Sequence, residues 1–229
     1  MQIKAVILDF GGTLSEGELD WEPYHEEIRS LLMSRGFNIE MSQLKKALRE
    51  TLRELNKVRA TGKELTFEEV YSDFLRRLAV PPDQKILEEL HDNFRKHHRT
   101  EFLPCVETVL KYLSSKYKVA LLSNTMSDQP RRLLQKNGYE KYFDVILHSS
   151  DIGRRKPKPD TFKYVLDLLR VHPYETVHVG DSVDSDMIGA QASGITGIWI
   201  RSSDQPPWTG YSIKSICELP DLLEKIEST

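Results

Sequence analysis

The stretch IKAVILDFGG, residues 3–12, indicates a buried β-strand that ends in a polar turn. Every residue from Ile3 to Leu8 except Lys4 is apolar, and Asp9 follows at once. A continuous apolar run of this length is typical of a strand buried on both faces, as in a parallel sheet. A charged residue directly behind such a strand lies where open α/β sheets bind their ligands. Residues 3–12 therefore predict both the start of a parallel sheet and one edge of a functional site.

Downstream of Leu103, short apolar segments alternate with segments of helical periodicity. Strands are predicted at residues 119–122, 145–147, 177–179 and 195–200, and helices at 106–113, 131–136, 162–169 and 187–192. Strands that alternate with helices are typical of βαβ units, which place parallel strands in one sheet and helices on its two faces. The sequence therefore predicts an α/β fold with a doubly wound parallel sheet.

Residues 16–98 differ from the rest, because long charged segments there carry apolar residues at helical spacing. The four stripes are Ile28, Leu31 and Leu32; Leu44, Leu48, Leu52 and Leu55; Val70, Phe74, Leu75 and Leu78; and Leu87, Leu90 and Phe94. The helix-start signals are Ser42, the capping box of Thr66 with Glu69, and Asp83. We predict an α-helical bundle, residues 16–99, inserted into one α/β domain made of residues 1–15 plus 100–229.

Composition excludes several classes of protein. The 229 residues carry 32 Lys and Arg against 35 Asp and Glu, so no overall positive field exists to hold nucleic acid or an acidic membrane surface. No run of about 18 apolar residues is present to span a bilayer, and the N-terminal run is too short for a secretory signal. We expect a soluble, cytoplasmic protein without nucleic-acid or membrane partners, either a monomer or a homodimer.

Two further features concern the part of the chain after Leu103. Cys105 and Cys217 lack a CxxC motif and a histidine at metal-ligand spacing. Isolated cysteines of this kind argue against a disulfide framework and against most zinc sites. Residues 205–208, Gln-Pro-Pro-Trp, predict a surface loop.

Polar residues and glycines follow the predicted strands, after the point where each strand ends. They are Asp9, Gly11 and Gly12; Ser123 and Asn124; Lys156; and Asp181, Asp184 and Asp186. Because the carboxyl ends of parallel strands meet at one edge of a sheet, we expect these residues to converge. Clustered carboxylates repel one another, and a divalent cation such as Mg²⁺ relieves that repulsion. Asp184 stays ambiguous, since a first-turn carboxylate at a helix N-terminus explains it equally well.

Four segments at these strand ends resemble the ordered motifs of the haloacid dehalogenase-like (HAD) hydrolases. They are Asp9-Phe10-Gly11-Gly12-Thr13-Leu14, Leu122-Ser123-Asn124, Lys156-Pro157-Lys158-Pro159, and Gly180-Asp181-Ser182 through Asp186. The resemblance covers nearly the whole chain. It implies a Rossmann-like sheet with a helical cap inserted between the first two motifs, and it implies that Asp9 is the nucleophile.

The resemblance further implies a Mg²⁺-dependent phosphatase, a phosphoric monoester hydrolase that acts on a small phosphorylated metabolite. Asp9 would attack phosphorus to give an aspartyl-phosphate, while Lys156 would neutralise charge between nucleophile and phosphate. The implied metal ligands are Asp9, the backbone carbonyl of Gly11, Asp181 and Asp186. The implied phosphate-binding groups are Ser123, the N–H of Asn124, and Gly12.

One position departs from the family pattern. Phosphatases of this family usually carry a second aspartate two residues after the nucleophile, where it serves as general acid and base, and here that residue is Gly11. General acid–base catalysis is typically worth 10²–10⁴-fold, so its loss costs roughly 3–5 kcal/mol for a leaving group that needs a proton.

Three hypotheses account for Gly11. A 2-haloacid dehalogenase needs no such acid, but dehalogenase-type members tend to lose the last-motif acids that this chain keeps. A slow or selective phosphatase, which we favour, would use good leaving groups or borrow an acid. The candidates for that acid are Glu16, Glu18, Asp20 and His25. The third hypothesis is a weakly catalytic protein that binds phosphorylated ligands.

Overall fold

The structure is a computed structural model that describes residues 2–201 and 208–228. The chain divides into two compact units, an α/β unit of residues 1–16 and 101–229 and a helical unit of residues 17–100. Of the surface loop predicted at 205–208, residues 205–207 lie outside the described residues. Among the described helices, none is both long and apolar enough to cross a membrane.

Six parallel strands form the sheet of the α/β unit. The strands of the described chain are β1 (Ala5–Leu8), β2 (Ser15–Leu19), β3 (His98–Phe102), β4 (Lys118–Ser123), β5 (Val145–His148), β6 (Thr176–Gly180), β7 (Thr196–Ile200) and β8 (Tyr211–Ile213). The order across the sheet is β5-β4-β1-β6-β7-β8, and each neighbouring pair is parallel. β1 therefore lies between β4 and β6, which brings the ends of three predicted strands side by side.

Helices cover both faces of this sheet, which confirms the predicted doubly wound α/β fold. The helices of the described chain are α1 (Trp21–Ser34), α2 (Met41–Ala60), α3 (Phe67–Arg77), α4 (Gln84–His97), α5 (Val106–Lys116), α6 (Gln129–Lys136), α7 (Ser149–Ile152), α8 (Pro159–Leu169), α9 (Ile188–Ala192) and α10 (Leu219–Ser228). Val6 and Leu8 of β1 pack into a buried cluster with α5, α6 and α10. The alternate residues Ala5 and Ile7 pack with α8 and α9. Burial on both faces is what the uninterrupted apolar run predicts.

The C-terminal part of the α/β unit differs from the prediction. β8 was not predicted, because its three residues are too few to show a period. α10 was also not predicted, although its buried Leu219, Leu223 and Ile226 show helical spacing. The helix predicted at 187–192 is divided into a π-helical turn, Val183–Met187, and α9.

The helical unit contains α1 to α4, and its core includes residues of every predicted apolar stripe together with Tyr24, Phe67 and Tyr71, which the stripes did not include. Ile28, Leu44, Leu48, Phe74 and Leu90 are all buried. The capping box is confirmed, since the Glu69 N–H donates to Thr66 Oγ1 and the Thr66 N–H donates to Glu69 Oε2. Asp83 accepts from the Ile86 N–H as expected of a helix start.

The helix start predicted at Ser42 is wrong. α2 begins at Met41, and Glu40 is its N-cap. The Glu40 N–H donates to the side chain of Gln43, so a reciprocal cap forms two residues earlier than predicted.

β2 and β3 form a separate two-stranded sheet where the chain passes between the α/β unit and the helical unit. Gly17 in β2 is close to the neighbouring backbone, because a Cβ there would lie 2.1 Å from the carbonyl oxygen of Arg99. Only glycine permits this approach of the two strands.

The sequence argued against a disulfide framework and gave no signal for a single disulfide. Cys105 and Cys217 form one, with their Cα atoms 5.4 Å apart and 112 positions apart in sequence. Cys105 directly precedes α5, and Cys217 precedes α10, and these two helices pack on the same face of the sheet. Sequence spacing gave no signal because the pair is brought together by that packing.

We expect loss of this disulfide to lower the free energy of unfolding by about 2–4 kcal/mol, because it closes a long loop in the unfolded chain. Urea unfolding of the wild type with and without dithiothreitol measures the effect. Cys217→Ser is the matched control, since its stability should be low and insensitive to the reductant. Two free thiols in the native, unreduced wild type would show that the bond is absent.

Candidate active site

The candidate site is organised around the side chain of Lys156, which is only 1% exposed. Its Nζ donates hydrogen bonds to Asp9 Oδ1 at 2.7 Å and to Asp186 Oδ1 at 2.6 Å. Asp9 directly follows β1, and Asp186 lies in the π-helical turn that follows the neighbouring strand β6. The parallel pairing of β1 with β6 thus brings Asp9 and Asp186 together, and Lys156, from the loop before α8, contacts both.

Three carboxylates meet at this edge of the sheet. One ligand oxygen each from Asp9, Asp181 and Asp186 lies within 4.8 Å of the other two. Carboxylate oxygens are the ligands that Mg²⁺ and other hard divalent cations prefer. The donor set therefore fits a divalent metal ion.

The pKa shifts of Asp9 and Asp181 also favour a bound cation at this edge of the sheet. Burial raises the pKa of Asp9 to about 6; the ammonium of Lys156 opposes this rise, while Asp186 and Asp181 add to it. Burial, followed by the charge of Asp186, also raises the pKa of Asp181. A bound cation would favour the charged forms of both carboxylates, because opposite charges at close range stabilise each other.

Lys156 and Asp186 form a buried charged pair. Burial on its own would lower the pKa of Lys156, but Asp186 and Asp9 raise it above its usual value. Burial would likewise raise the pKa of Asp186, but Lys156 and His178 hold it below its usual range. Both groups therefore keep their charges inside the protein.

Two glycines allow the backbone to approach the carboxylates. Gly12 has a φ of +71°, and a Cβ there would lie 2.3 Å from Asp181 Oδ2. At Gly180 a Cβ would lie 2.3 Å from Asp186 Cγ. Gly11 is different, because a Cβ there meets nothing within 4 Å. A side chain at Gly12 or Gly180 would displace an acid, whereas Gly11 has room for one.

Ser123 and Asn124 lie at the end of β4, beside β1. Ser123 is buried as the last residue of the strand. The side chain of Asn124 is paired with the backbone of Lys156: its Nδ2 donates to the Lys156 carbonyl at 3.0 Å, and its Oδ1 accepts from the Lys156 N–H at 2.9 Å. The Asn124 amide therefore fixes the loop that carries Lys156, a contact that the sequence did not predict.

Other sequence-predicted residues lie outside the carboxylate cluster. Asp184 is exposed on the π-helical turn, unlike the buried Asp186 of the same turn. Glu16 and Glu18 are exposed, and Asp20 is hydrogen-bonded to Arg99 within the helical unit. His25 is buried in the helical unit, where burial lowers its pKa.

Two residues that support the site were missed by sequence reasoning. His178, in the middle of β6, has its Nε2 2.9 Å from Asp186 Oδ1. Trp199, on β7, donates from Nε1 to the backbone carbonyl of Asp181 at 2.8 Å. For His178 the sequence did offer a signal, a histidine between two valines of a predicted strand. For Trp199 it offered none, because its contact depends on how the strands pair.

The arrangement combines a buried carboxylate at the end of β1, a buried ammonium group and an acid set suited to a cation. Positive charge beside a carboxylate lets that carboxylate approach an anionic electrophile, which it would otherwise repel. Attack on an oxygen-rich anionic group is therefore the chemistry that these residues suit.

Comparison with known proteins agrees with this chemistry. A family model described as haloacid dehalogenase-like hydrolase matches residues 3–194. N-acylneuraminate-9-phosphatase of Mus musculus is 31% identical over 128 residues, which cover 53% of this chain and 52% of that protein. The chain thus spans about half the length of this curated relative.

Two solved structures resemble the chain over nearly its full length. A HAD phosphatase from Thermococcus onnurineus has a TM-score of 0.65 at 25% identity, covering 96% of this chain and 98% of that one. A 2-haloacid dehalogenase from Pseudomonas syringae has a TM-score of 0.71 at 23% identity, covering 98% and 99%. The second likeness concerns the fold alone.

We expect binding of a divalent cation to weaken as the pH falls through about 6. Asp9, whose pKa is about 6, is ionised at pH 7.5 and protonated at pH 5, and a proton on a ligand oxygen competes with the metal. Calorimetric titration with Mn²⁺ without substrate should show the dissociation constant rising about tenfold per pH unit below pH 6.

Asp184→Asn is the matched control for this titration, because Asp184 is an exposed carboxylate of the same turn. Its Mn²⁺ affinity should follow the wild-type pH profile. An affinity of the wild type that stays constant from pH 7.5 to pH 5 would contradict a metal site that includes Asp9.

Proposed function

The chain belongs to the haloacid dehalogenase-like hydrolases, and we propose that it is a Mg²⁺-dependent phosphatase for a small phosphorylated metabolite. The observation that carries the proposal is the cluster of Asp9, Asp181 and Asp186 beside Lys156. Phosphoryl transfer needs a nucleophile in line with the leaving group, and it needs positive charge around the phosphoryl oxygens. The mouse relative and the Thermococcus structure, both named as phosphatases, support the same activity.

Asp9 is the proposed nucleophile. A carboxylate oxygen of Asp9 attacks phosphorus, the bond from phosphorus to the leaving oxygen breaks, and that oxygen takes up a proton. Water then attacks the phosphorus of the aspartyl-phosphate, which releases phosphate and restores the carboxylate. Two easier steps replace one difficult hydrolysis. The location of Asp9 at the end of β1, in contact with Lys156, supports this role.

The remaining residues would hold charge and position. When bound, Mg²⁺ would neutralise charge on the phosphoryl group as a Lewis acid. Its proposed ligands are Asp9, the backbone carbonyl of Gly11, Asp181 and Asp186. The proposed phosphate contacts are Lys156, Ser123, the N–H of Asn124, and Gly12. The burial of Ser123 at the end of β4 and the fixed loop of Lys156 support these assignments.

Gly11 sets the expected limit on the rate. Without a carboxyl group at this position, a leaving oxygen that needs a proton must take it from water, from substrate or from another acid. The expected penalty is roughly 10²–10⁴-fold for such a leaving group. Esters with acidic leaving groups, such as aryl phosphates, avoid most of it.

We further propose that the helical unit acts as a cap domain that selects the substrate.

The dehalogenase hypothesis is less well supported. Displacement of halide from carbon needs neither a metal nor a general acid, which would agree with Gly11. It gives no reason for a metal-binding acid set, whereas Asp181 and Asp186 are both present and close to Asp9. The likeness to the Pseudomonas dehalogenase reflects the shared fold.

Assays with p-nitrophenyl phosphate and with 2-chloropropionate, each with Mg²⁺ and with EDTA, test the proposed function. We expect phosphate release that requires Mg²⁺ and no release of chloride. Chloride release in EDTA would overturn the phosphatase proposal. No turnover of either compound, together with binding of phosphorylated ligands, would favour a binding protein.

Two substitutions test the nucleophile and the missing acid. Asp9→Asn should lower phosphate release by more than about a thousandfold, because it removes the attacking group. Gly11→Asp should leave turnover unchanged or raise it, most for alkyl phosphates, because a side chain there has room. Steady-state kinetics on both variants, with circular dichroism as a folding check, give the answer. Retained activity in Asp9→Asn would remove Asp9 from its role.

A further inference from the structure

His178 is an imidazole enclosed in the centre of the sheet. It lies in β6 with 0% of its surface exposed, between Val177 and Val179. Burial of a polar ring without hydrogen-bond partners costs free energy, so a histidine in this position needs partners. The structure places one acceptor oxygen within hydrogen-bond distance of each ring nitrogen.

One partner lies in β1, and the other lies in the π-helical turn that follows β6. Nε2 lies 2.9 Å from Asp186 Oδ1, and because a carboxylate oxygen accepts hydrogen bonds, Nε2 donates this one. Nδ1 lies 3.1 Å from the carbonyl oxygen of Ile7, the residue of β1 that pairs in register with His178. Ile7 is two residues before Asp9. The ring therefore connects the strand of the nucleophile to the acid that follows β6.

Asp186 is held through both of its carboxylate oxygens. Oδ1 accepts from His178 Nε2 and from Lys156 Nζ, and Oδ2 accepts from the Ser182 N–H at 3.0 Å. Ser182 precedes the π-helical turn, and Lys156 belongs to a loop. Of these three donors, His178 is the one fixed within a strand in the middle of the sheet.

The position of Lys156 depends on the position of Asp186. The ammonium lies between two carboxylate oxygens, Asp186 Oδ1 at 2.6 Å and Asp9 Oδ1 at 2.7 Å. If the Asp186 carboxylate rotated away, Lys156 would lose one of these two ion-pair contacts. The hydrogen bonds thus run from His178 to Asp186, from Lys156 to Asp186, and from Lys156 to Asp9.

We propose that His178 is a positioning residue, whose Nε2 orients the Asp186 carboxylate and, through it, places Lys156 against Asp9. This inference rests on the proposed phosphatase function, since that function gives Asp9 and Lys156 their roles. His178 itself touches neither substrate nor phosphate in this scheme. Loss of Nε2 therefore lowers kcat, while KM stays near its wild-type value.

A purely structural role is the alternative that the experiment must separate. The His178 ring packs edge-on against Phe162 at a centroid distance of 5.0 Å, so it also fills space. His178→Gln can place an amide N–H near the position of Nε2, whereas His178→Asn can place one only near Nδ1. Both variants remove the ring, and they differ in which hydrogen bond they can restore.

The matched control is Thr176→Val. Thr176 is buried in the same strand, two residues earlier and on the same face, and its hydroxyl donates to the His172 carbonyl away from the site. Its substitution removes a partly buried hydrogen bond from β6, and Thr176 has no hydrogen bond to Asp186 among the described contacts. We expect wild-type kcat and KM for this variant.

Kinetics on p-nitrophenyl phosphate with Mg²⁺, together with melting temperatures, test the proposal. We expect His178→Asn to lower kcat by about 10–100-fold with KM changed less than about threefold, and His178→Gln to keep kcat within about threefold of wild type. Equal kcat values for the two variants, whether high or low, would overturn the proposal. A change in KM alone would do the same. If His178→Asn does not fold, His178→Leu takes its place against His178→Gln.

Mn²⁺ binding, measured by electron paramagnetic resonance without substrate, separates this inference from the proposed function. The dissociation constant for Mn²⁺ should rise about 10–100-fold in His178→Asn and should stay near wild type in His178→Gln. If the wild type releases no phosphate from any ester, the phosphatase proposal fails, and this Mn²⁺ titration still decides the role of His178. Unchanged Mn²⁺ affinity in both variants would show that His178 does not position Asp186.

Discussion

The buried ammonium group of Lys156, held between two carboxylates, is the constraint on which the rest of the site depends. An unpaired charge in the interior costs several kcal/mol, and the contacts of Lys156 with Asp9 and Asp186 offset that cost. Three features support these contacts: the adjacency of β1 and β6, the amide of Asn124 on the Lys156 backbone, and a glycine at position 180, where a side chain would displace Asp186. The ion pairs of Lys156 with Asp9 and Asp186 are therefore part of the buried core and of the candidate site at once.

The main architecture and the location of the site follow from local sequence pattern. The apolar run before Asp9 predicts a strand buried on both faces, and β1 is such a strand. Because polar residues at the ends of parallel strands meet at one edge, Asp9, Lys156 and Asp186 were expected to lie close together, and they are in contact. The apolar stripes of the helical unit were also predictable from local pattern, because helical spacing selects the buried face of each helix.

What the sequence did not predict depends on the pairing of distant segments. The contacts of His178 with Asp186 and with the Ile7 carbonyl require the register of β6 against β1, which no local period encodes. The disulfide requires α5 and α10 to lie on one face of the sheet, and Cys105 is far from Cys217 in the chain. The contact of the Asn124 side-chain amide with the Lys156 backbone likewise joins two segments that are 32 positions apart in the chain.

The disulfide also separates the residues of the candidate site into two groups, one inside the covalent ring that it closes and one outside that ring. It closes the chain from Cys105 to Cys217 into a ring, and within that ring lie Ser123, Lys156, Asp181 and Asp186. Asp9 lies outside it, attached through residues 17–100. A single proteolytic cut inside the ring would leave its two fragments joined, whereas a cut in the helical unit would free the segment that bears Asp9. That segment would then be held only by non-covalent contacts, chiefly the pairing of β1 with β4 and β6, so Asp9 could be exchanged on a separate peptide.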